Sequence, residues 1–339
     1  MSGKPVILSL CGLVTVCFAQ PREVTWQVEL RDPVSASADL HVYDVVQEFD
    51  EHSFPSGYHM KLLADVCDDK LCKILDVTLF WDELGRYVRL ETPSHAPLTK
   101  LDHIEFSKDD HWKLNEILKN QSSLLSCYSY KDVSGSNEHD LDAVSGATPS
   151  EVQNGVVQGA AYTTWVLWHW VNGEITDRLM QMTEESSSPA FIRSCLKSRD
   201  QDRIEYALET IGNDSQYWPA VCDALDQMDY GNISLAVRYL GRVDAVRLAE
   251  LVGKIPQRAS EQVVKYFSQQ SETLSSDILS ALVSRLPLMS YYELYTSLDL
   301  FDDNGFSSDL IHSNVAALTN SPNPFIARRA KEYIQTTSR

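Results

Sequence analysis

The stretch of this chain whose residue types most directly suggest chemistry is Asp142-Ala143-Val144-Ser145-Gly146-Ala147-Thr148-Pro149-Ser150-Glu151. Thr148 offers a hydroxyl at a helix N-cap, Pro149 suits the first helical position, and Glu151 three residues on completes a capping box. A phosphate esterified to that hydroxyl would lie beside unsatisfied backbone N–H groups at the positive end of the helix dipole, which are natural anion ligands. Gly146 and Ala147 keep the approach narrow, so an enzyme could reach the hydroxyl. The Glu151 carboxylate competes for the same donors, and the plain alternative for Thr148 is a helix cap worth about 1 kcal/mol. Capping alone does not require Asp142, Ser145 and Gly146 at these spacings.

The pattern D-x-x-S-G-A-T resembles the flavinylation site of the FMN-binding domains found in sodium-translocating quinone reductases, Rnf-type complexes and many exported flavoproteins. In that family a flavin transferase uses FAD to join FMN to the last Thr or Ser of the motif through a phosphoester. The resemblance therefore implies covalent FMN on Thr148, with Asp142, Ser145, Gly146 and Ala147 as the rest of the cofactor-binding motif. A second echo is Glu91-Thr92-Pro93, because the family often carries E-T-P before a Gly-rich turn that borders the flavin. Here Ser94-His95-Ala96-Pro97 stands in place of the glycines. Glu91 and Thr92 enter as cofactor-binding candidates on that resemblance alone. No catalytic residue or metal ligand is implied.

These residues need elements to position them, and the pattern predicts an α+β domain over residues 20–180. Strand-like alternation marks VTWQVEL (24–30), YHMKLLADV (58–66) and KILDVTLFW (73–81). Asp82-Glu83-Leu84-Gly85 then signals a hairpin before YVRLET resumes. SKDDHWKLNEILKN (107–120) reads as a helix capped by Ser107, with Trp112, Leu114, Ile117 and Leu118 on one side. The helix expected to start at Thr148 keeps its spacing through Val152, Val156, Ala160 and Thr163, reaches Trp165, Trp168 and Trp170, and stops at Asn172-Gly173. The three tryptophans with His169 offer a stacking wall for a flavin ring, but at helical spacing their better reading is core.

Beyond about Ser186 strand signals fade, and helix-length segments come in pairs starting near Ser188, Asp214, Asp244, Thr273 and Phe306. Spacings of roughly 26 to 33 residues are those of helical-repeat solenoids. Segments such as LAVRYLGRVDAVRLAELVGKI resemble HEAT-like repeats in texture, so residues 186–339 are expected to form an α-helical repeat domain.

Composition narrows the partners. With 48 acidic against 29 basic residues the chain lacks the basic face that nucleic acid or an anionic membrane surface requires. At the N-terminus, Lys4, the apolar run Val6 to Phe18 and Cys17-Phe18-Ala19 before Gln20 have the three parts of a signal peptide, over residues 1–19. Export to the periplasm or beyond is the expectation, with no membrane span in the mature chain. An oxidising space makes Cys67 and Cys72 a candidate disulfide across a turn. Buried free thiols account for Cys127, Cys195 and Cys222. His95, His103 and His111, near Asp102, Asp109 and Asp110, read as mixed surface charge in preference to a metal site. The implied function is extracytoplasmic electron transfer, or a flavin-dependent reductase component. Its partners would be a flavin transferase for maturation and a redox protein or membrane electron-transfer complex. The rival is a non-catalytic exported interaction module in which the SGAT segment is only a helix cap.

Overall fold

The computed structural model describes residues 22–34, 40–64, 74–100, 103–129, 132 and 155–337, and the chain divides into two compact units between Ser186 and Ser187. The first combines a sheet with helices and the second is helical, an α+β chain as expected. In the first unit, strands β1 (Arg22–Arg31), β2 (Leu40–Phe49), β3 (Pro55–Ala64), β4 (Leu75–Trp81) and β5 (Tyr87–Glu91) form an antiparallel meander in chain order. The alternation identified above covers β1, β3, β4 and β5 and passes over β2. That strand hides its period: Gln47 is buried on the core face, while Leu40 and Val42 are exposed.

Register explains why one face becomes core. Trp26, Val45, Met60, Leu79 and Leu90 lie opposite one another across all five strands, and Gln47, Tyr58, Trp81 and Tyr87 form the next inward row. The hairpin between β4 and β5 forms where expected. Gly85 takes φ +72°, and Asp82 Oδ1 accepts the N–H groups of Leu84 and Arg86. A side chain at Gly85 would also press on the backbone of Thr176, at 3.3 Å from its carbonyl oxygen.

Three helices cover the inward face: α1 (Lys108–Lys119), α2 (Ala161–Asn172) and α3 (Glu174–Ser186). Ser107 caps α1 as expected, and Asp110 closes the box from N3. Leu114 and Leu118 are buried and Ile117 is partly so, but Trp112 is 68% exposed. Trp112 therefore does not share their side, since two residues of helix rotate it about 160° from Leu114.

The larger correction concerns α2. It begins at Ala161, not at Thr148, because residues 155–160 turn and Gly159 adopts φ +73°, which ends any helix arriving from upstream. Thr164 closes that turn onto the new helix, its Oγ1 accepting the Val157 N–H at 3.2 Å and donating to the Ala160 carbonyl at 2.7 Å. Val156, Val157 and Ala160 are buried, so their spacing reports burial in a turn, not a helical face. The predicted stop is correct, with Gly173 as the C-cap.

The second unit contains five helix pairs among the described residues: α4 (Pro189–Leu196) with α5 (Gln201–Thr210), α6 (Trp218–Ala224) with α7 (Tyr230–Val243), α8 (Ala245–Leu251) with α9 (Gln257–Ser268), α10 (Ser276–Val283) with α11 (Tyr291–Asp303), and α12 (Asp309–Leu318) with α13 (Pro324–Thr337). Ser188, Asp244, Ser275 and Ser308 cap the first helices of their pairs, and Asp214 caps the short 3-10 turn Ser215–Tyr217 that leads into α6, each side chain accepting a backbone N–H. Second helices pack in succession, α5 on α7, α7 on α9, α9 on α11 and α11 on α13, while α8, α10 and α12 pack likewise in the other layer. The buried Glu293 joins two successive pairs within one layer, accepting from Gln257 and Ser260 of α9 while its carboxylate caps α11 through the Ser290 N–H at 2.8 Å.

One polar cluster inside the first unit is testable. Gln47, fully buried, accepts from Trp26 Nε1 at 3.0 Å and donates to Tyr58 Oη at 2.8 Å and Ser186 Oγ at 2.7 Å. Gln47→Leu should cost about 1–3 kcal/mol by stranding these groups, read as a lower urea midpoint of the sheet unit; a neutral result would mean that the cluster adds nothing.

Candidate functional site

Asp142, Ser145, Gly146, Ala147 and Thr148 lie outside the described residues, as do residues 1–19 and the Cys67–Cys72 pair. The described residues resume at Gly155. Downstream, residues 155–160 run into α2 along the side of the sheet where β5 forms the edge and α1 packs. Gly159 sits against the stem of Lys100, whose Cβ and Cδ would lie 3.6 and 3.7 Å from an added Cβ.

Lys100 is held by a local design that sequence spacing does not reveal. After β5, a turn closes from the Ala96 N–H to the Pro93 carbonyl, and the chain then doubles back. Lys100 N–H donates to Ile104 at 2.7 Å, Phe106 N–H donates to Leu98 at 2.9 Å, and Leu98 and Phe106 anchor the loop in the core. The left-handed His103, at φ +60°, makes the reversal. Lys100 Nζ reaches Asp110 Oδ2 at 2.7 Å, in the first turn of α1. That contact, with the Ser107 hydroxyl, lowers the Asp110 carboxyl to about 2. Lys100 thus connects the cap of α1 to the turn at 155–160. The only sequence cue was Ser107 as the cap of α1.

Glu91 and Thr92 fall at the end of β5 and just past it. Glu91 pairs with Arg89, whose guanidinium lies 3.5 Å over Phe80, and this group occupies the sheet face opposite the three helices. The Glu91 side chain thus faces away from the three helices.

The tryptophans are core. Trp165 Nε1 donates to the Tyr128 carbonyl at 2.8 Å and Trp168 Nε1 to the Asn120 carbonyl at 3.0 Å. His169 stacks on Trp165 with ring centroids 3.8 Å apart and donates from Nδ1 to the Trp165 carbonyl at 2.9 Å; burial lowers its pKa, which leaves Nε2 as an acceptor at neutral pH. His169 and Trp170 do line a cavity with Leu30 and Arg31, of about 190 Å³. Ligand pockets usually start near ~300 Å³, so this one is small for a flavin ring. Wider grooves of about 390 and 450 Å³ run between β1 and α3. They lie at the opposite edge of the sheet from β5, four inter-strand gaps or about 19 Å away.

Among the described residues no three His, Cys, Asp or Glu side chains gather as metal ligands, and no helix is long and apolar enough to cross a membrane. His95 lies 3.8 Å from Asp76. Cys195 is buried and Cys222 half-buried, its thiol raised to about 11 by burial, but Cys127 is exposed, contrary to the expectation of a buried thiol. Comparison with protein-family models, curated proteins and solved structures returns no match.

The Lys100–Asp110 pair has a direct readout. Because the folded carboxyl is depressed, its stabilising contact with Lys100 and the α1 cap is present at neutral pH and is lost as pH falls from near 4 towards 2. A carbon-13 titration should place the Asp110 midpoint near pH 2 in the native chain and distinctly higher in Lys100→Met. An unchanged midpoint would show that Lys100 does not set it.

Proposed function

We propose that the chain is an exported electron-transfer flavoprotein carrying FMN in phosphoester linkage to Thr148, with a HEAT-like solenoid behind its FMN-binding-like domain. The observation that carries the reading is the motif from Asp142 to Thr148. In the maturation step, Thr148 Oγ forms a bond to the FMN phosphorus of FAD, the pyrophosphate bond breaks, AMP leaves and the hydroxyl proton is released. Bound FMN supplies one- and two-electron transfer, and covalent attachment prevents its loss outside the cytoplasm.

The described residues bear on the fit in two ways. The turn at 155–160 separates α2 from the motif along the chain, so Thr148 is not the N-cap of α2. In support, Lys100 provides a positioned cation beside the segment that leaves the motif. Its role in this reading is to hold that segment beside the cap of α1, its ammonium being paired with Asp110. In this reading Thr92 remains a cofactor-binding candidate on the resemblance alone, whereas the Glu91 carboxylate is engaged by Arg89. The paired helices of the second unit, each layer packing in succession, support the solenoid reading and a docking role towards a redox protein or membrane electron-transfer complex.

A non-catalytic interaction module is the second reading, favoured by an open tyrosine-lined groove on the second unit. Intact mass separates the two. Co-expression with a flavin transferase should add one FMN less one water to the mature chain, and Thr148→Ala should abolish the gain. Absence of any gain in both proteins sinks the flavoprotein reading.

A further inference from the structure

Helix α11 places Tyr291, Tyr295, Asp299 and Asp303 at successive intervals of four, so they form one stripe, with Tyr292 beside it. Together with Ser268 at the end of α9 they line an open groove of about 550 Å³. The tyrosines are conspicuously exposed for aromatic side chains: Tyr292 is 45% and Tyr295 44% accessible. Their rings are arrayed rather than scattered, with Tyr291 6.0 Å from Tyr295 and 5.9 Å from the exposed Phe325.

The groove already recognises one guanidinium, supplied by its own chain. Arg329 lies 4.7 Å over the Tyr295 ring and donates from Nη2 to Asp299 Oδ1 at 2.6 Å. This is aromatic stacking plus carboxylate pairing, the combination that suits arginine best. One arginine does not neutralise the carboxylates present. Asp299 is held above its ordinary range by partial burial and then by Asp303 and Asp302, against the opposing pull of Arg329. Asp303 is exposed, and Tyr291 and Tyr292 remain 37% and 45% accessible.

We propose that this groove is a docking site for a cationic segment of a partner protein, in which arginine or lysine side chains stack on Tyr291 and Tyr292 and pair with Asp303. The argument is charge complementarity and the Arg329 example. A second copy of the chain, with net charge −19, is a poor occupant because the two molecules repel. The proposal does not depend on the flavin and stands or falls separately.

The test uses the full chain and a dye-labelled peptide, Gly-Arg-Leu-Arg-Gly-Ser, followed by fluorescence anisotropy at about 0.15 M salt, where attraction to the whole chain is screened beyond ~8 Å. Saturable binding is expected. It should weaken at least about tenfold when citrulline replaces both arginines, and by a similar factor in the double variant Tyr292→Ala, Asp303→Asn, whose sites are exposed. Glu116→Gln, on exposed α1 surface, should leave it unchanged. Circular dichroism confirms that the double variant is folded. Absence of saturable binding, equal binding of the citrulline peptide, or equal weakening by Glu116→Gln would overturn the proposal. So would a concentration-dependent dimer that the double variant abolishes, since the groove would then belong to self-association.

Discussion

Helix α2 has no polar face, and the other elements of the first unit are arranged to cover it. Nine of its twelve residues are buried, among them three tryptophans. Each indole removes roughly 150–250 Å² from water, worth on the order of 5 kcal/mol gross. That exceeds the ~1–3 kcal/mol cost of a buried polar group left unpaired. The balance explains why Trp170 can keep an indole N–H with no hydrogen-bond partner while packing edge-on to Tyr43, 5.1 Å between centroids.

Burial alone would not fix the direction of such a helix. Direction comes from side-chain donors that reach backbone acceptors at both ends. Trp165 and Trp168 bind carbonyls in the segment after α1, Asn172 donates to Leu118 at 3.0 Å, and Trp81 of β4 donates to the Val171 carbonyl at 2.9 Å. These bonds tie α1, the sheet and α2 into one body. The turn at 155–160 therefore enters from a fixed position. Gln47 performs the same task for α3, joining β2 to Tyr58 and Ser186, while Tyr58 Oη meets Thr183 at 2.6 Å.

The second unit rests on a different principle. Its helices are short, so capping matters in proportion, and most begin with an Asp or Ser whose side chain satisfies a free N–H. Stacking then buries one face of each helix against the next pair. The faces left over are free to carry recognition chemistry, and α11 uses its own for the tyrosine stripe.

Local rules account for what could be read without coordinates. Ser107, Ser188, Asp214 and Asp244 mark helix starts because capping needs only a side chain and its neighbouring N–H groups; Asn172-Gly173 and the Asp82–Gly85 hairpin are equally local. The D-x-x-S-G-A-T motif is likewise a local pattern of residue types, and the chemistry proposed for Thr148 rests on that pattern. Elements whose identity depends on distant partners were not. Strand β2 conceals its period because Gln47 belongs in the core only once Trp26, Tyr58 and Ser186 converge on it. Val156 and Ala160 imitate a helix because burial against the core imposes a spacing of four on a turn, and Lys100 gained its position from a loop folded back by Leu98 and Phe106. The sequence by itself determined the caps, turns and motif, whose energies act within a few residues. Tertiary structure alone decided which polar groups lie inside and where α2 begins, since desolvation is set by everything that packs around a residue.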